Sequence, residues 1–188
     1  MQDPTTAATP QTVITAEELL EHPEWNPCEL VRGKVRAMSP TGYSHGDVAG
    51  VIAGMVFMYA RGRKAGRVLT AEAGFILSRN PDTVRAPDVM FVAEERMPKG
   101  APGGYLPIPP DLAVEVVSPN DQFSDITAKA EEYLAAGVRL VWVVDPQTRH
   151  AYVFRPGQPV RSLSEKEALS GEDVLPDFQL PLSEVFSR

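Results

Sequence analysis

The stretch LAVEVVSPNDQFSDITAKAEEYLAAGVRLVWVVD, residues 112–145, decides the fold. Its opening residues read as a buried strand, and VRLVWVVD (138–145) reads as a second, nearly all apolar, as a central strand covered on both faces should be. Between them SPND breaks the first strand, and a helix runs from about Ser124 to Ala136. Gly137 follows as a natural C′ residue. A strand–helix–strand run of this kind implies a right-handed parallel crossover.

The rest of the chain builds outward from that unit. Thr15 followed by Glu18 fits a capping box that opens the short helix AEELLEH, closed by Pro23. CELVRGKVRAM (28–38) alternates around Gly33 and reads as a β-hairpin. Pro40 and Gly42 form a break, after which Ser44 is placed to cap a helix running to about Lys64. Its apolar stripe is Val48, Val51, Ile52, Met55 and Tyr59. RVLTAEAGFILS (67–78) and VRAPDVMFV (84–92) are β-type segments, MPKGAPGGYLPIPP (97–110) is a Pro/Gly-rich loop, and HAYVFR (150–155) is a last strand before weaker signals. No repeat or linker divides the chain. The expected fold class is α/β, an α+β mixed sheet with helices packed on it, as one domain over 13–188 behind a loose polar tail, residues 1–12.

The totals agree. A chain of 188 residues, 43% hydrophobic and 23% charged, suits one globular domain with a substantial core. The single cysteine, Cys28, rules out an internal disulfide and fits a reducing cytoplasm. Residues 1–12 lack the apolar core of a secretory signal. The longest apolar helical stretch, VAGVIAGMVFMYA (48–60), is shorter than the ~20 residues of a membrane span. A net charge of −7 argues against coating nucleic acid through bulk positive charge, and leaves a local basic cleft open.

Glu115 stands in the middle of Leu112, Ala113, Val114, Val116 and Val117. A bare carboxylate in a dry interior costs roughly tens of kcal/mol by idealised Born arithmetic unless it is protonated, paired or metal-bound. Strand alternation puts Glu115 on a face with Ala113 and Val117, and Asp88 on a face with Val84, Ala86, Met90 and Val92. Two such acids on neighbouring strands repel unless something positive lies between them. Lys129 falls on one helical stripe with Ile126, Ala130, Tyr133 and Leu134, the face that packs on the sheet. Its ammonium either snorkels to water or joins the acids. An acid–acid–base cluster suits phosphodiester hydrolysis. Mg²⁺ or Mn²⁺ takes one or two carboxylates, with waters and phosphate oxygens completing its shell. A lysine beside it can orient or activate water and stabilise negative charge.

APDVMFV, PPDLAVEVVSPND and TAKAEEYLAAGVRLVWVVDP together resemble the Uma2 family of restriction-endonuclease-like proteins, in the PD-(D/E)XK nuclease superfamily. The similarity runs from about ELVRGKV (29–35) through HAYVFR. It implies a DNA endonuclease with a restriction-endonuclease-like core, dependent on Mg²⁺ or Mn²⁺, with Asp88 as the acid of the PD element and Glu115 as the acid of the second. Lysine in the usual E-x-K would fall at position 117, where this chain has Val117. The resemblance draws the lysine from the next helix, at Lys129. A homodimer is implied by analogy with nucleases that cut two strands with two sites.

Five further features are ambiguous at this level. Glu72 reads as an additional ligand or water-holder, or as a solvent-facing strand-end carboxylate. Glu29 is a hairpin residue that reads as an additional member of the site or, more simply, as an ordinary strand carboxylate. His45, near a helix start, can touch a substrate phosphate, hold Glu29, or simply end its helix. For DNA contact, RGRKAGR (61–67) offers Arg61, Arg63, Lys64 and Arg67, which equally complement a helix C-terminus. Arg32, Lys34 and Arg36 alternate along the hairpin onto one face and are ambiguous in the same way. His22 and His150 have no spacing partners, so no His/Cys zinc site is supported.

Overall fold

The computed structural model describes residues 13–100, 103–119 and 121–187; the expected tail, 1–12, lies outside the described residues. In chain order the elements are α1 (Ala16–Glu21), β1 (Cys28–Val31), β2 (Lys34–Ala37), α2 (Tyr43–Arg63), β3 (Gly66–Thr70), β4 (Phe75–Ser78), β5 (Thr83–Arg85) and β6 (Val89–Ala93). There follow β7 (Leu112–Val116), α3 (Phe123–Ala135), β8 (Leu140–Asp145), β9 (His150–Phe154), β10 (Arg161–Ser164), β11 (Ala168–Ser170), β12 (Gln179–Pro181) and α4 (Leu182–Val185).

A six-stranded mixed sheet with the order β10-β9-β8-β7-β6-β3 carries the fold. β7 and β8 run parallel, joined through α3, and the other neighbours run antiparallel. Alternation along β7 divides its side chains between two cores. Leu112, Val114 and Val116 pack with Val48, Ile52, Val56 and Ala60 of α2 and with Leu169, Leu175 and Phe178 from the C-terminal segment. Ala113 and Val117 pack with Ile126, Ala130 and Tyr133 of α3. Glu115 therefore belongs to the α3 face. A four-stranded antiparallel sheet, β2-β1-β5-β4, stands beside this core and is covered by α1 through Ala16, Leu19, Leu30 and Val84.

Five local expectations change. α2 begins at Tyr43 with Gly42 at the cap and no side-chain cap bond, so Ser44 does not cap it. Its buried stripe is Val48, Ile52, Val56 and Ala60, while Met55 is 39% exposed. Phe57 and Met58 are also exposed, so the helix is apolar all round and its pattern carries no direction. The segment 67–78 breaks into β3 and β4 at a turn holding Ala71 and Glu72. The segment 84–92 breaks at Ala86–Asp88, because Pro87 has no N–H to give a ladder. As a result β5 joins the four-stranded sheet and β6 the six-stranded one. The C-terminal tail, read as weak, supplies β10, β11, β12 and α4.

The β1–β2 turn is Arg32-Gly33 with φ +49° and +71°, the two-residue geometry that matches strand twist. A Cβ on Gly33 would displace the exposed Val13 side chain, so the positive φ is the main reason for glycine there.

Two buried acids are structural. Asp82 Oδ2 accepts from the Ala16 N–H at 2.9 Å and from Arg79 at 2.7 Å, fixing the start of α1. Burial would raise its pKa, but these donors outweigh burial and hold it below the ordinary aspartate value. The native state then binds fewer protons than the unfolded chain, so this stabilisation is full above the unfolded aspartate pKa and disappears as pH falls through the folded one. Asp82→Asn should shrink the acid limb of a plot of stability against pH, leaving the share carried by other depressed carboxylates such as Glu29. A variant with the wild-type limb would show that other groups carry it.

Asp111, at the head of β7, is fully buried. It accepts from the Ala93 N–H at 2.8 Å, Arg96 at 2.7 Å and Arg139 at 3.2 Å. Asp111→Ala orphans that N–H and two guanidinium contacts and should cost about 3 kcal/mol in urea unfolding. Asp111→Asn keeps one acceptor and should cost less. Equal midpoints for Asp111→Ala and wild type would refute this role.

Candidate active site

β6 stops pairing with β7 at Val89, opposite Val114, which leaves the Val116 N–H beyond the end of the ladder. Asp88, one residue before β6, fills that place: its Oδ2 accepts from Val116 N at 2.7 Å. His45, in the first turn of α2, brings Nε2 to 3.2 Å from the same oxygen. His45 thus holds Asp88, not Glu29. Burial would lower the histidine pKa, but the hydrogen bond and charge of Asp88 outweigh it and raise the imidazole above its ordinary value.

Glu115 lies on the next strand. Its Oε1 accepts the Tyr133 hydroxyl at 2.6 Å, and Lys129 Nζ lies 3.0 Å from Oε1 and 3.1 Å from Oε2. Burial pushes its pKa up to about 7; Lys129 pulls it down, while Asp88 and Glu29 add to the rise. Lys129 and Tyr133 sit four residues apart on α3, one above the other on the helix face. Burial would lower the lysine pKa, yet Glu115 and Glu29 outweigh burial and hold it above its ordinary value. The phenol of Tyr133 is raised well above the usual 10, first by burial and then by Glu115.

Glu29 closes the cluster. Its Oε1 lies 3.0 Å from Lys129 Nζ and accepts the Ala86 N–H at 3.1 Å, and its Oε2 accepts from Arg85 at 2.8 Å. Burial would raise Glu29, but Lys129 and Arg85 prevail and lower it. Arg85 reaches on to Glu132 at 2.5 Å.

Asp88, Glu115, Lys129, Glu29 and His45 are therefore together. Glu72 is exposed in the β3–β4 turn and lines a cleft of about 560 Å³ with Asp88 and His45. Pro27 and Met38 form one wall of that cleft, and Gly46 and Gly50 of α2 form part of another. The RGRKAGR residues are apart from it. Arg63 lies 18 residues along α2 from His45, or about 27 Å at 1.5 Å per residue. Arg61 and Arg63 lie over the rings of Phe57 and Tyr59, Lys64 caps the helix, and Arg67 approaches Glu94 at 3.9 Å. Sequence reasoning placed Tyr133 on the stripe but missed it as the donor to Glu115, although its i+4 spacing from Lys129 was the available signal. Arg85 was missed outright, because its partner Glu29 is remote in sequence.

The donor set suits a hard divalent cation. Among the described residues no group of three or more His, Cys, Asp or Glu is arranged to hold a metal. A cation would thus rest on the carboxylates of Asp88 and Glu115, with water and substrate oxygens completing its shell, as Mg²⁺ typically does. Both protein contacts to Asp88 fall on Oδ2. Glu115 is an anion that its surroundings disfavour, a condition a nearby cation relieves.

No curated protein matches the sequence. A protein from Anabaena variabilis ATCC 29413, solved as "a putative nuclease belonging to DUF820", shares the fold at a TM-score of 0.80 with 20% identity, over 93% of this chain and 98% of that one. The DrdV–DNA complex aligns at a TM-score of 0.36 with 15% identity over 61% of this chain and 67% of that chain, and carries no argument. Residues 16–183 match Uma2, and on that match the chain belongs to the Uma2 family, described as "Putative restriction endonuclease".

Proposed function

We propose that the protein is a metal-dependent endonuclease that hydrolyses phosphodiester bonds in DNA. One observation carries the reading: Asp88, at the end of the β6–β7 ladder, lines an open cleft and lies close enough to act on the charge of Glu115, whose carboxylate is in turn met by Lys129 of α3. Asp88 and Glu115 would hold Mg²⁺ or Mn²⁺, which when bound would polarise the phosphodiester and lower the pKa of a water. Lys129, held protonated by two carboxylates, would serve as a donor to the attacking water and to developing negative charge instead of taking a proton. Tyr133 fixes the Glu115 carboxylate, His45 orients Asp88, and Glu72 is an additional ligand or water-holder on the cleft wall. Incubating duplex and single-stranded DNA with the purified protein and Mg²⁺ or Mn²⁺ tests the reading. It fails if no cleavage appears, or if cleavage survives Asp88→Ala and Glu115→Ala.

A second reading, a catalytically inactive nuclease-fold module that binds nucleic acid or protein, is favoured by the Glu115–Lys129–Glu29 contacts, which satisfy one another without a cation. Calorimetric titration with Mn²⁺ separates the two. Binding that disappears in the Asp88→Ala/Glu115→Ala double variant supports the nuclease; no binding by the wild type supports the module.

A further inference from the structure

We infer that the β1–β2 hairpin is the clamp for the DNA backbone, with Arg36 and Lys34 holding phosphates of the strand that leads out of the Asp88 cleft. The choice of DNA as partner rests on the nuclease reading above. The placement rests on register. Glu29 pairs with Arg36 and Val31 with Lys34, and residues directly opposite in an antiparallel pair share a face. Arg36 is therefore the next side chain outward from the Glu29–Lys129 contact, one strand spacing of about 4.8 Å away. Met38, two residues on and on the same face, lines the cleft that holds Asp88. Lys34, Arg36 and Met38 thus form a row leading from the cleft to open solvent, with successive members about 6.7 Å apart.

Charge compensation sets this row apart from the later arginines; among the described residues Arg61, Arg63 and Lys64 are likewise exposed without an ion pair, but at the far end of α2 from the cleft. Among the described residues, every arginine from Arg79 onward is ion-paired to a carboxylate: Arg79, Arg85, Arg96, Arg139, Arg149, Arg155 and Arg161. Arg32, Lys34 and Arg36 are exposed and enter no ion pair there, in a chain of net charge −7 that has carboxylates to spare. The hairpin is also held firmly. Gly33 N donates to Asp82 O at 2.7 Å, Arg32 N to Thr83 Oγ1 at 3.1 Å, and Ile14 N to Gly33 O at 2.9 Å. Cations on a fixed strand edge keep their spacing, which is what a backbone-reading surface needs.

The test is fluorescence anisotropy of a labelled DNA duplex, measured across a salt series in an Asp88→Asn background with no added metal, so that cleavage does not intrude. Lys34→Glu/Arg36→Glu should weaken binding at least about tenfold and reduce the slope of log K against log salt by about 2. Lys34→Gln/Arg36→Gln should give a smaller loss and stands in if charge reversal unfolds the hairpin. Arg61→Glu/Lys64→Glu, at the far end of α2, should lose less than about threefold, since it removes no contact near the cleft. The inference is overturned if the hairpin variants bind within twofold of the parent, if the α2 variant loses more than they do, or if the parent binds no DNA. A protein with Asp88 restored that binds DNA through the hairpin and never cuts it would overturn the nuclease reading and leave the clamp standing.

Discussion

Asp88→Asn should lower DNA cleavage in Mg²⁺ or Mn²⁺ on the order of 10³-fold and leave the melting temperature close to that of the wild type. Asparagine keeps a carbonyl oxygen for the Val116 N–H and for His45, so the end of the β6–β7 ladder stays satisfied. The negative charge is lost, and with it several kcal/mol of cation-dependent transition-state stabilisation, at about 1.4 kcal/mol per tenfold. Glu115→Gln should be equally inactive for the same reason. It should also be no less stable than the wild type, because burial already disfavours the anion, Tyr133 can still donate to the amide oxygen, and Lys129 retains Glu29. The measurements are single-turnover cleavage and a thermal melt. A fall of several degrees for Glu115→Gln would identify the Glu115–Lys129 pair as a structural bridge.

Lys129→Met should destabilise the fold by about 3 kcal/mol, the lower end of the cost of breaking a buried ion pair. Two buried carboxylates lose their shared cation. Glu29 keeps Arg85 and the Ala86 N–H, and Glu115 keeps the Tyr133 hydroxyl, which limits the loss. Adding Glu115→Gln to Lys129→Met should then recover more than half of it, since the group left uncompensated is now neutral. Urea unfolding of the two single variants and the double variant gives the coupling directly. Additive losses would mean that Lys129 stabilises through the packing of its methylene stem alone. All three proteins should be inactive, so stability is the discriminating readout.

The unit from β7 through α3 to β8 was legible because its signals are redundant: unbroken apolar strands, a helical stripe and Gly137 after the helix. The stripe even placed Lys129 toward Glu115, four residues before Tyr133. α2 was legible as a helix but not in its orientation. Residues such as Val51, Met55, Phe57 and Met58 make every face apolar, and only the packing selects Val56 and Ala60. Period two carried the reading of 84–92 straight through Pro87, although a residue without an N–H was the stop signal and Asp88 owes its position to that stop. Glu29 and Arg85 joined the site through pairings between sheets and α3, which no local pattern encodes. Asp111 and Glu115 look alike in sequence, two acids on one strand. They differ in donors: Asp111 is met by two guanidinium groups and an N–H, Glu115 by a neutral phenol and a lysine it must share.

Val117 stands where an E-x-K strand would carry its own lysine, and Lys129 comes from α3 instead. On one strand, the acid–lysine separation is set by covalent geometry, since two residues of extended chain allow little else. On two elements it is set by how closely the helix lies against the sheet. Ala130, fully buried beside Lys129, packs in the core between that helix and the sheet. A single added methyl group there would change the reach of the lysine without touching either charge. The chemistry of the cluster is thereby made answerable to the hydrophobic core, and selection on catalysis would be felt at positions that carry no polar atom.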